Sequence, residues 1–282
     1  MNKKRYTKSP LPFQGQKRNW VKHLENLARK LPEGALVVDV FGGSGLCAHT
    51  FKATRPDLRV VWNDYDNFQH RLERIPQTNT YALEVYEVTR KYPKGAHIAP
   101  GEEDHKRLCD IFKRATAEGA DVQTLSQMVT FSSQCSNVFN PKQKAYTQIR
   151  AIQYDATGYL DGVERVSTSF EDLISSMPQE AILILDPPYL STDTGRYGDK
   201  QQGIFWGVTA HLRLLTMLQG RSYIYFTSDK SEVLELEKAV QEAFQTSFLG
   251  DYNTLERNAL LSGKGDGYKE YLITNINLDA QQ

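Results

Sequence analysis

The sequence predicts an α/β fold in which a parallel sheet is interrupted by an inserted, mostly helical domain. Apolar runs of the buried-strand type occur at 35–41 and 181–185, and the first of them enters a glycine turn and a helix, as in a βαβ unit. Residues 68–162 are instead mixed in charge, polar and helix-like, and lack clear buried strands. We therefore expect residues 1–67 and 163–282 to form one domain, with 68–162 as a second domain inserted into it.

The individual helices and strands are predicted from the spacing of apolar residues and from the prolines and glycines that end them. Apolar residues at helical spacing predict a helix over about 18–31, which Pro32 and Gly34 end. A strand at 35–41, the turn, a helix ending before Pro56 and a strand at 59–63 make up the βαβ unit. After the insertion we expect strands at 166–170, 181–185, 223–227 and 268–275, with helices at about 209–219 and 231–245.

Composition narrows the class of protein. The 282 residues carry 34 basic and 34 acidic side chains, and 40% of the residues are hydrophobic, which is an ordinary globular balance. No apolar run approaches the roughly 18–20 residues of a membrane span, and no signal-peptide pattern opens the chain. Three scattered cysteines do not make a disulfide framework. We expect a soluble, cytoplasmic protein.

The zero net charge hides an uneven distribution. Residues 1–30 contain nine basic side chains and one acid, so this arm has a net charge of +8. A basic arm on a neutral protein is typical of phosphate contacts. Charge alone leaves the alternative of a solvated terminus open.

The turn after the first strand fits a ligand-binding fingerprint. Gly43, Gly45 and Ala48 match the spacing G-x-G-x-x-[GA], and Asp64 ends the next strand, where a ribose-binding acid is expected. Glycines let the backbone approach a ligand, and a carboxylate accepts hydrogen bonds from ribose hydroxyls. This pattern does not distinguish nicotinamide, flavin and S-adenosylmethionine, and a tight structural turn without a ligand is a further alternative.

A second motif, Asp186-Pro-Pro-Tyr189, follows the buried strand at 182–185. It therefore lies at the carboxyl end of that strand, the edge where open α/β sheets bind ligands. Two prolines remove backbone donors and leave their carbonyls as acceptors, Asp186 adds a carboxylate, and Tyr189 offers a ring for stacking. An acceptor-only pocket beneath an aromatic ring suits an exocyclic amino group, which has two hydrogens to donate.

These motifs resemble those of the amino-methylating DNA methyltransferases. Phe41-Gly-Gly43-Ser-Gly45 resembles their F-x-G-x-G motif, and Asp186-Pro-Pro-Tyr189 resembles D-P-P-Y. Pro12-Phe13-Gln-Gly15-Gln-Lys17 is similar to the lysine element of the Dam-type (α-class, D12-like) adenine-N6 group, and the closing strand 268–275 is similar to that of phage-type relatives. Asn137-Val-Phe139-Asn140-Pro-Lys142 loosely resembles a third segment of that group, without its arginine and glycine.

The resemblance implies a Rossmann-like fold that binds S-adenosylmethionine, with the inserted domain recognising the DNA target. Asp64 would hold the cofactor ribose, Gly43 and Gly45 would let the backbone approach the methionine part, and Lys17 would meet its carboxylate. Phe170 would pack on the cofactor adenine. The predicted cofactor-binding residues are Phe13, Lys17, Asp39, Phe41, Gly43, Gly45, Asp64, Phe170 and Asp186.

The implied reaction is methyl transfer to the N6 amino group of an adenine that has left the duplex. Asp186 and the Pro187 carbonyl would accept the amino hydrogens, with Pro188 shaping the loop and Tyr189 stacking on the base. We expect double-stranded, sequence-specific DNA as the partner, no metal and no membrane, a monomer or weak dimer, and a phage or restriction–modification context. The predicted DNA-binding residues are Lys3, Lys4, Arg5, Lys8, Asn137, Asn140 and Lys142.

Several alternatives stay open at this point. A cytosine-N4 methyltransferase has an analogous pocket, although Ser more often replaces Asp186 in that family. Methylation of RNA or of a protein amide, an NAD-dependent oxidoreductase and a non-catalytic module that binds DNA or S-adenosylmethionine are the others. His105, Cys109 and Cys135 make a poor zinc site because a fourth ligand is missing.

Overall fold

A computed structural model describes residues 4–130, 139–147, 152–189, 206–229, 231, 233–259 and 267–276 of the chain. These residues divide into two compact units. The sheet unit consists of the described residues of 17–65 and 160–282, and the helical unit consists of those of 1–16 and 66–159. Within the described ranges, no helix is long and apolar enough to cross a membrane.

The sheet unit contains a seven-stranded sheet, which confirms the prediction of a mixed α/β fold. Its strands are β1 (Leu36–Asp39), β2 (Arg59–Asn63), β5 (Glu164–Val166), β6 (Ile182–Leu185), β7 (Ser222–Ser228), β8 (Asn253–Ala259) and β9 (Tyr268–Thr274). Their order across the sheet is β5–β2–β1–β6–β7–β9–β8. The first five pair in parallel, and β9 runs antiparallel to both β7 and β8.

Five helices belong to the same unit: α1 (Val21–Lys30), α2 (Leu46–Thr54), α7 (Phe170–Ser176), α8 (Val208–Met217) and α9 (Val233–Phe244). All four residues of β6 are buried, as expected of a central parallel strand. Leu183 and Leu185 share one apolar cluster with Leu214 and Leu215 of α8, so this helix packs on one face of the sheet. α1 buries Leu24 and Leu27, which accounts for its apolar spacing.

The helical unit contains α3 (Phe68–Glu73), α4 (Ile75–Thr89), α5 (Glu103–Ala117) and α6 (Val122–Ser126), and a two-stranded ribbon of β3 (His97–Ile98) and β4 (Ala145–Tyr146). Residues 4–16 group with this unit, although the sequence analysis assigned 1–67 to the sheet domain. Two contacts explain the grouping: Arg71 Nη2 donates to the Pro12 carbonyl at 3.1 Å, and Tyr6 Oη donates to the Thr157 carbonyl at 3.0 Å.

The prediction of a strand over 166–170 is wrong for most of that range. β5 ends at Val166, and Phe170 is the first residue of α7. The Ser169 side chain caps this helix by accepting the Asp172 backbone N–H at 3.0 Å, the role that serine typically plays at an N-cap. β8 was not predicted, because a polar, exposed edge strand lacks the apolar signal.

Candidate active site

The strand ends at the centre of the sheet bring the two sequence motifs to one edge. β1 and β6 are parallel neighbours, with Asp39 opposite Ile184. The chain continues from β1 to β2 on one side of this pair, and from β6 to β7 on the other. The strand order therefore reverses between β1 and β6, which is where open α/β sheets bind ligands, beyond the carboxyl ends of the strands.

Glycines shape the turn that follows β1. A Cβ atom on Gly42 would lie 2.1 Å from the indole ring of Trp62, so a larger residue does not fit there. Gly45 has a φ of +74°, in the left-handed region, and directly precedes α2. The turn thus places the first backbone N–H groups of α2 beside the end of β1. One of them, the Ala48 N–H, donates to Asp39 Oδ2 at 3.1 Å.

Asp39 is the acid nearest to this turn in sequence, and only 2% of its surface is exposed. Burial raises the pKa of its carboxyl to about 7, the Ala48 N–H acts against this rise, and the charge of Asp186 adds to it. Near neutral pH the carboxyl group therefore changes between protonated and ionised forms. It can serve a ligand as a donor or as an acceptor.

Asp186 directly follows β6 and forms an ion pair with Lys17, which joins Oδ2 to Nζ. Their side chains are 24% and 11% exposed, respectively. The Lys17 ammonium also lies over the Phe226 ring, 5.3 Å from its centroid. Burial lowers the pKa of Lys17, but Asp186 and Tyr189 more than offset this effect, so the pKa lies above its ordinary value. Burial raises the pKa of Asp186, and Lys17 opposes that rise.

Strand β9 adds an acid that the sequence analysis missed. The charge of Glu270 acts together with the larger effect of burial to raise the pKa of both Asp186 and Tyr189. Tyr268 Oη donates to Glu270 Oε1 at 3.1 Å, and Arg257 Nη1 lies 3.7 Å from Glu270 Oε2. The available signal was the i, i+2 spacing of Tyr268 and Glu270, which places both side chains on one face of the closing strand.

An aromatic cluster forms around the residue that opens the glycine turn. Phe41 lies 5.7 Å from Phe170 and 5.3 Å from Trp206, measured between ring centroids, and Phe170 lies 5.4 Å from Trp206. Phe41 and Phe170 were predicted as cofactor-binding residues, and the structure brings them together. Trp206 was not predicted, since it belongs to no motif.

Asp64, the predicted ribose-binding acid, directly follows β2 and is fully buried. Arg165 of β5 donates from Nε to Asp64 Oδ2 at 2.8 Å, and the Arg165 side chain is 43% exposed. Asp64 N–H donates to the Val166 carbonyl at 2.8 Å. The carboxylate thus has a partner within the protein, and its role toward a ribose stays a prediction.

Phe13, also predicted to bind the cofactor, belongs to the helical unit. Its ring packs edge-on against Phe68, 5.4 Å between centroids. The Gln16 side chain stabilises residues 9–16, because its Oε1 accepts the Ser9 N–H at 2.9 Å and its Nε2 donates to the Phe13 carbonyl at 3.3 Å. This segment is therefore held within the helical unit, and the role of Phe13 toward the cofactor stays a prediction.

The predicted DNA-binding residues that the structure describes are exposed: Lys4, Arg5, Lys8, Asn140 and Lys142. Lys4 forms an ion pair with Asp155 of the helical unit. Asn140 Oδ1 accepts the backbone N–H of Lys142 at 2.9 Å, so this side chain stabilises a turn. Lys3 and Asn137 lie outside the described residues.

His105 and Cys109, which the sequence analysis considered as zinc ligands, contact protein atoms in the helical unit. His105 Nε2 lies 2.8 Å from the Gln143 carbonyl oxygen, and Cys109 Sγ lies 3.6 Å from His105 Nδ1. Cys135 lies outside the described residues. In the part of the chain that is described, no group of three or more His, Cys, Asp or Glu residues is placed to hold a metal ion.

Two known proteins are similar to this chain. A protein of Haemophilus influenzae named "Putative methyltransferase" is 34% identical over 254 residues, which are 86% of this chain and 83% of that protein. Modification methylase StsI of Streptococcus sanguinis is 23% identical over 297 residues, covering 96% of this chain and 43% of StsI. The chain thus spans less than half of the second relative's length. No family model matches the sequence.

Proposed function

Because this chain belongs to the methyltransferase family of its Haemophilus influenzae relative, we propose that it transfers a methyl group from S-adenosylmethionine to the N6 amino group of adenine in double-stranded DNA. One observation carries the proposal: the glycine turn and the Asp186 loop follow neighbouring strands at the point where the strand order of the sheet reverses. The name of the second relative, a modification methylase, supports DNA as the substrate.

The residues at this edge fit S-adenosylmethionine, which supplies an electrophilic methyl group bound to a cationic sulfur. Gly42 has no room for a Cβ atom beside Trp62, so the turn packs tightly against the end of β2. Asp39 and Lys17 offer an acid and a cation for the amino and carboxylate groups of the methionine part. Phe41 and Phe170 offer aromatic rings for the purine.

In this proposal Asp186 and the Pro187 carbonyl accept hydrogen bonds from the amino group. The amino nitrogen of adenine is a poor nucleophile because its lone pair is conjugated with the ring. Hydrogen bonds from both amino hydrogens favour a pyramidal nitrogen, whose lone pair is more available. The proton that the nitrogen finally loses needs an acceptor; Asp186 contributes a carboxylate, and Glu270 lies close enough to influence its pKa. Positioning contributes most of the rate in such a transfer.

Tyr189 provides a stacking surface for a base outside the duplex. Burial raises the pKa of its phenol above the ordinary value, so the hydroxyl stays neutral and the ring remains an uncharged face. A base buried within a helix does not reach such a pocket, so the adenine has to rotate out of the stack. Asp186, in place of the Ser more frequent in the cytosine-N4 family, favours adenine.

The helical unit is our candidate for target recognition. It exposes Lys4, Arg5, Lys8 and Lys142, whose charges suit phosphate contacts. Exchanging residues 66–159 for those of a relative with another target should change the methylated sequence. If the target stayed the same, recognition would reside in residues 1–16 or in the sheet unit.

The direct test is to incubate the purified protein with unmethylated genomic DNA and S-adenosylmethionine, then digest the DNA and analyse the nucleosides by mass spectrometry. We expect N6-methyladenine in the wild-type reaction and at least about 100-fold less with Asp186→Ala, the scale of losing one preorganised polar group. N4-methylcytosine alone would contradict the choice of base. Methylated RNA or protein with unmodified DNA would contradict the substrate class.

A further inference from the structure

Asn63, the last residue of β2, is a buried polar residue outside the groups assigned so far to the cofactor or the base. Only 2% of its surface is exposed. Its Nδ2 donates to the Val40 carbonyl and to the Thr168 carbonyl, both at 3.0 Å, and its Oδ1 accepts the Thr168 backbone N–H at 3.1 Å. The amide thus uses both of its donor hydrogens and connects two backbone segments.

The two segments that Asn63 connects both lead into the aromatic cluster. Val40 is followed directly by Phe41, and Thr168 precedes Phe170 by two positions. The rings of Phe41 and Phe170 lie 5.7 Å apart between centroids, at an interplanar angle of 31°. The backbone groups that the Asn63 amide binds are therefore next to the two rings that we propose as the surface for the purine.

The sheet explains why a side chain of β2 has this role. β1 and β5 do not pair with each other, because β2 lies between them. Asn63 binds both segments just past the carboxyl ends of β1 and β5, where the regular strand pairing stops. Because it stands on the middle strand and hydrogen-bonds to both sides, its amide helps to fix the separation of the two segments. A purine that stacks on the rings depends on this separation, since stacking requires contact with the ring faces.

We propose that Asn63 is a positioning residue for the cofactor: by holding together the segments that lead to Phe41 and Phe170, it shapes the aromatic surface that receives the adenine ring. The inference rests on the proposed function, because it assumes an adenosyl cofactor at these rings. Asn63 does not touch the cofactor and acts through the two phenylalanines. Its role thus differs from that of its neighbour Asp64, which is predicted to contact the ribose directly.

The test measures the affinity for S-adenosylhomocysteine by calorimetry, with folding checked by circular dichroism. Asn63→Ala removes the link and should raise the Kd about ten-fold, the scale of losing one stacking contact with a base. Asn63→Ser keeps a hydroxyl that can form one of the hydrogen bonds, so its Kd should lie between those of Asn63→Ala and the wild type. At saturating cofactor, kcat and the KM for DNA should stay within about two-fold of the wild type, because only cofactor binding is affected.

Asn275 provides a matched control at the opposite edge of the sheet. Its Oδ1 accepts the Tyr223 N–H at 2.8 Å, and its Nδ2 donates to the Arg221 carbonyl at 2.7 Å. This amide connects the end of β9 to the start of β7, away from the glycine turn. Asn275→Ala should therefore lower the thermal stability, as Asn63→Ala does, but leave the Kd unchanged.

A double-mutant cycle distinguishes positioning from a general loss of stability. If Asn63 acts through Phe170, Asn63→Ala should weaken binding by only about three-fold or less in a Phe170→Ala background, because one of the rings that it positions is already gone. Asn63→Ser takes its place in the cycle if Asn63→Ala does not fold. An equal effect in both backgrounds, or wild-type affinity of the folded Asn63 variants, would overturn the inference alone. If the wild type does not bind S-adenosylhomocysteine, the proposed cofactor itself is wrong.

Discussion

Two carboxylates, Asp64 and Asp186, follow parallel strands of the same sheet and pair with basic side chains, but the two pairs are built in opposite ways. In the first, the acid is fully buried and its partner Arg165 is 43% exposed. In the second, Asp186 keeps 24% of its side chain exposed and its partner Lys17 is the less exposed of the two, at 11%. The acid is thus enclosed in one pair and accessible in the other.

The difference in exposure supports Asp186, rather than Asp64, as the acid of the proposed chemistry. A ligand that took the place of Arg165 beside the buried Asp64 carboxylate would have to lose its own hydration in the same small space, which is costly. A partly exposed carboxylate with a less exposed cation can accept hydrogen bonds from a ligand while its charge stays balanced. The geometry therefore suits Asp186 to substrate contact, and it makes Asp64 in part a structural link between β2 and β5.

The largest effect is expected at the accessible pair. Asp186→Asn keeps the size of the side chain but removes its charge and replaces one acceptor oxygen with a donor, so methyl transfer should fall at least about 100-fold. Cofactor affinity, measured by calorimetry, should fall much less than kcat. A variant with wild-type kcat would contradict a role of Asp186 in the chemical step.

The enclosed pair should respond differently. If Asp64 also holds the cofactor ribose, Asp64→Ala weakens cofactor binding by about 1–3 kcal/mol, the scale of a lost charge-assisted hydrogen bond. Arg165→Met is the matched control, since it breaks the same ion pair and leaves the carboxylate. Equal loss of thermal stability in both variants with unchanged cofactor affinity would show that Asp64 is structural only.

Lys17→Met should change the pH dependence of the activity. Lys17 opposes the rise in the pKa of Asp186, so removing it raises that pKa further. The acidic limb of the kcat/KM profile should therefore move to higher pH, by about one unit or more. The measurement is a pH–rate profile of both proteins between pH 5 and 9. An unchanged acidic limb would show that Asp186 does not control it.

The smallest effect is expected for Asp39, and it concerns the stability of the folded protein. Its pKa is raised to about 7 in the folded protein from an ordinary value of 3.8, so the folded state holds the proton more tightly than the unfolded state. This contribution is fully present below pH 4 and is lost as the pH rises through 7. Asp39→Asn avoids the loss, so it should be more stable than the wild type at pH 8, by on the order of 1 kcal/mol, with a smaller difference at pH 5. Thermal unfolding at both pH values checks the sign.

Much of the sheet could be predicted because its signals are local. The apolar run that forms β6 and the glycines that follow β1 are each read from a few neighbouring residues. The prediction failed at 166–170 because a serine cap and a helix start compete with β-branched residues there, and only the hydrogen bond of Ser169 decides between them.

Local preferences are enough to predict that a glycine turn and an Asp-Pro-Pro-Tyr loop end two buried strands, since strand and turn preferences act within a few residues. Which groups meet these loops depends instead on tertiary contacts. Lys17 reaches Asp186 across 169 positions of the chain, and Arg165 reaches Asp64 across 101. Trp206 joins the site although it belongs to no motif, and Glu270 joins it although the closing strand carried no predicted site residue. Such contacts depend on strand order and burial, and burial raises the pKa of Asp186, so no local pattern encodes them.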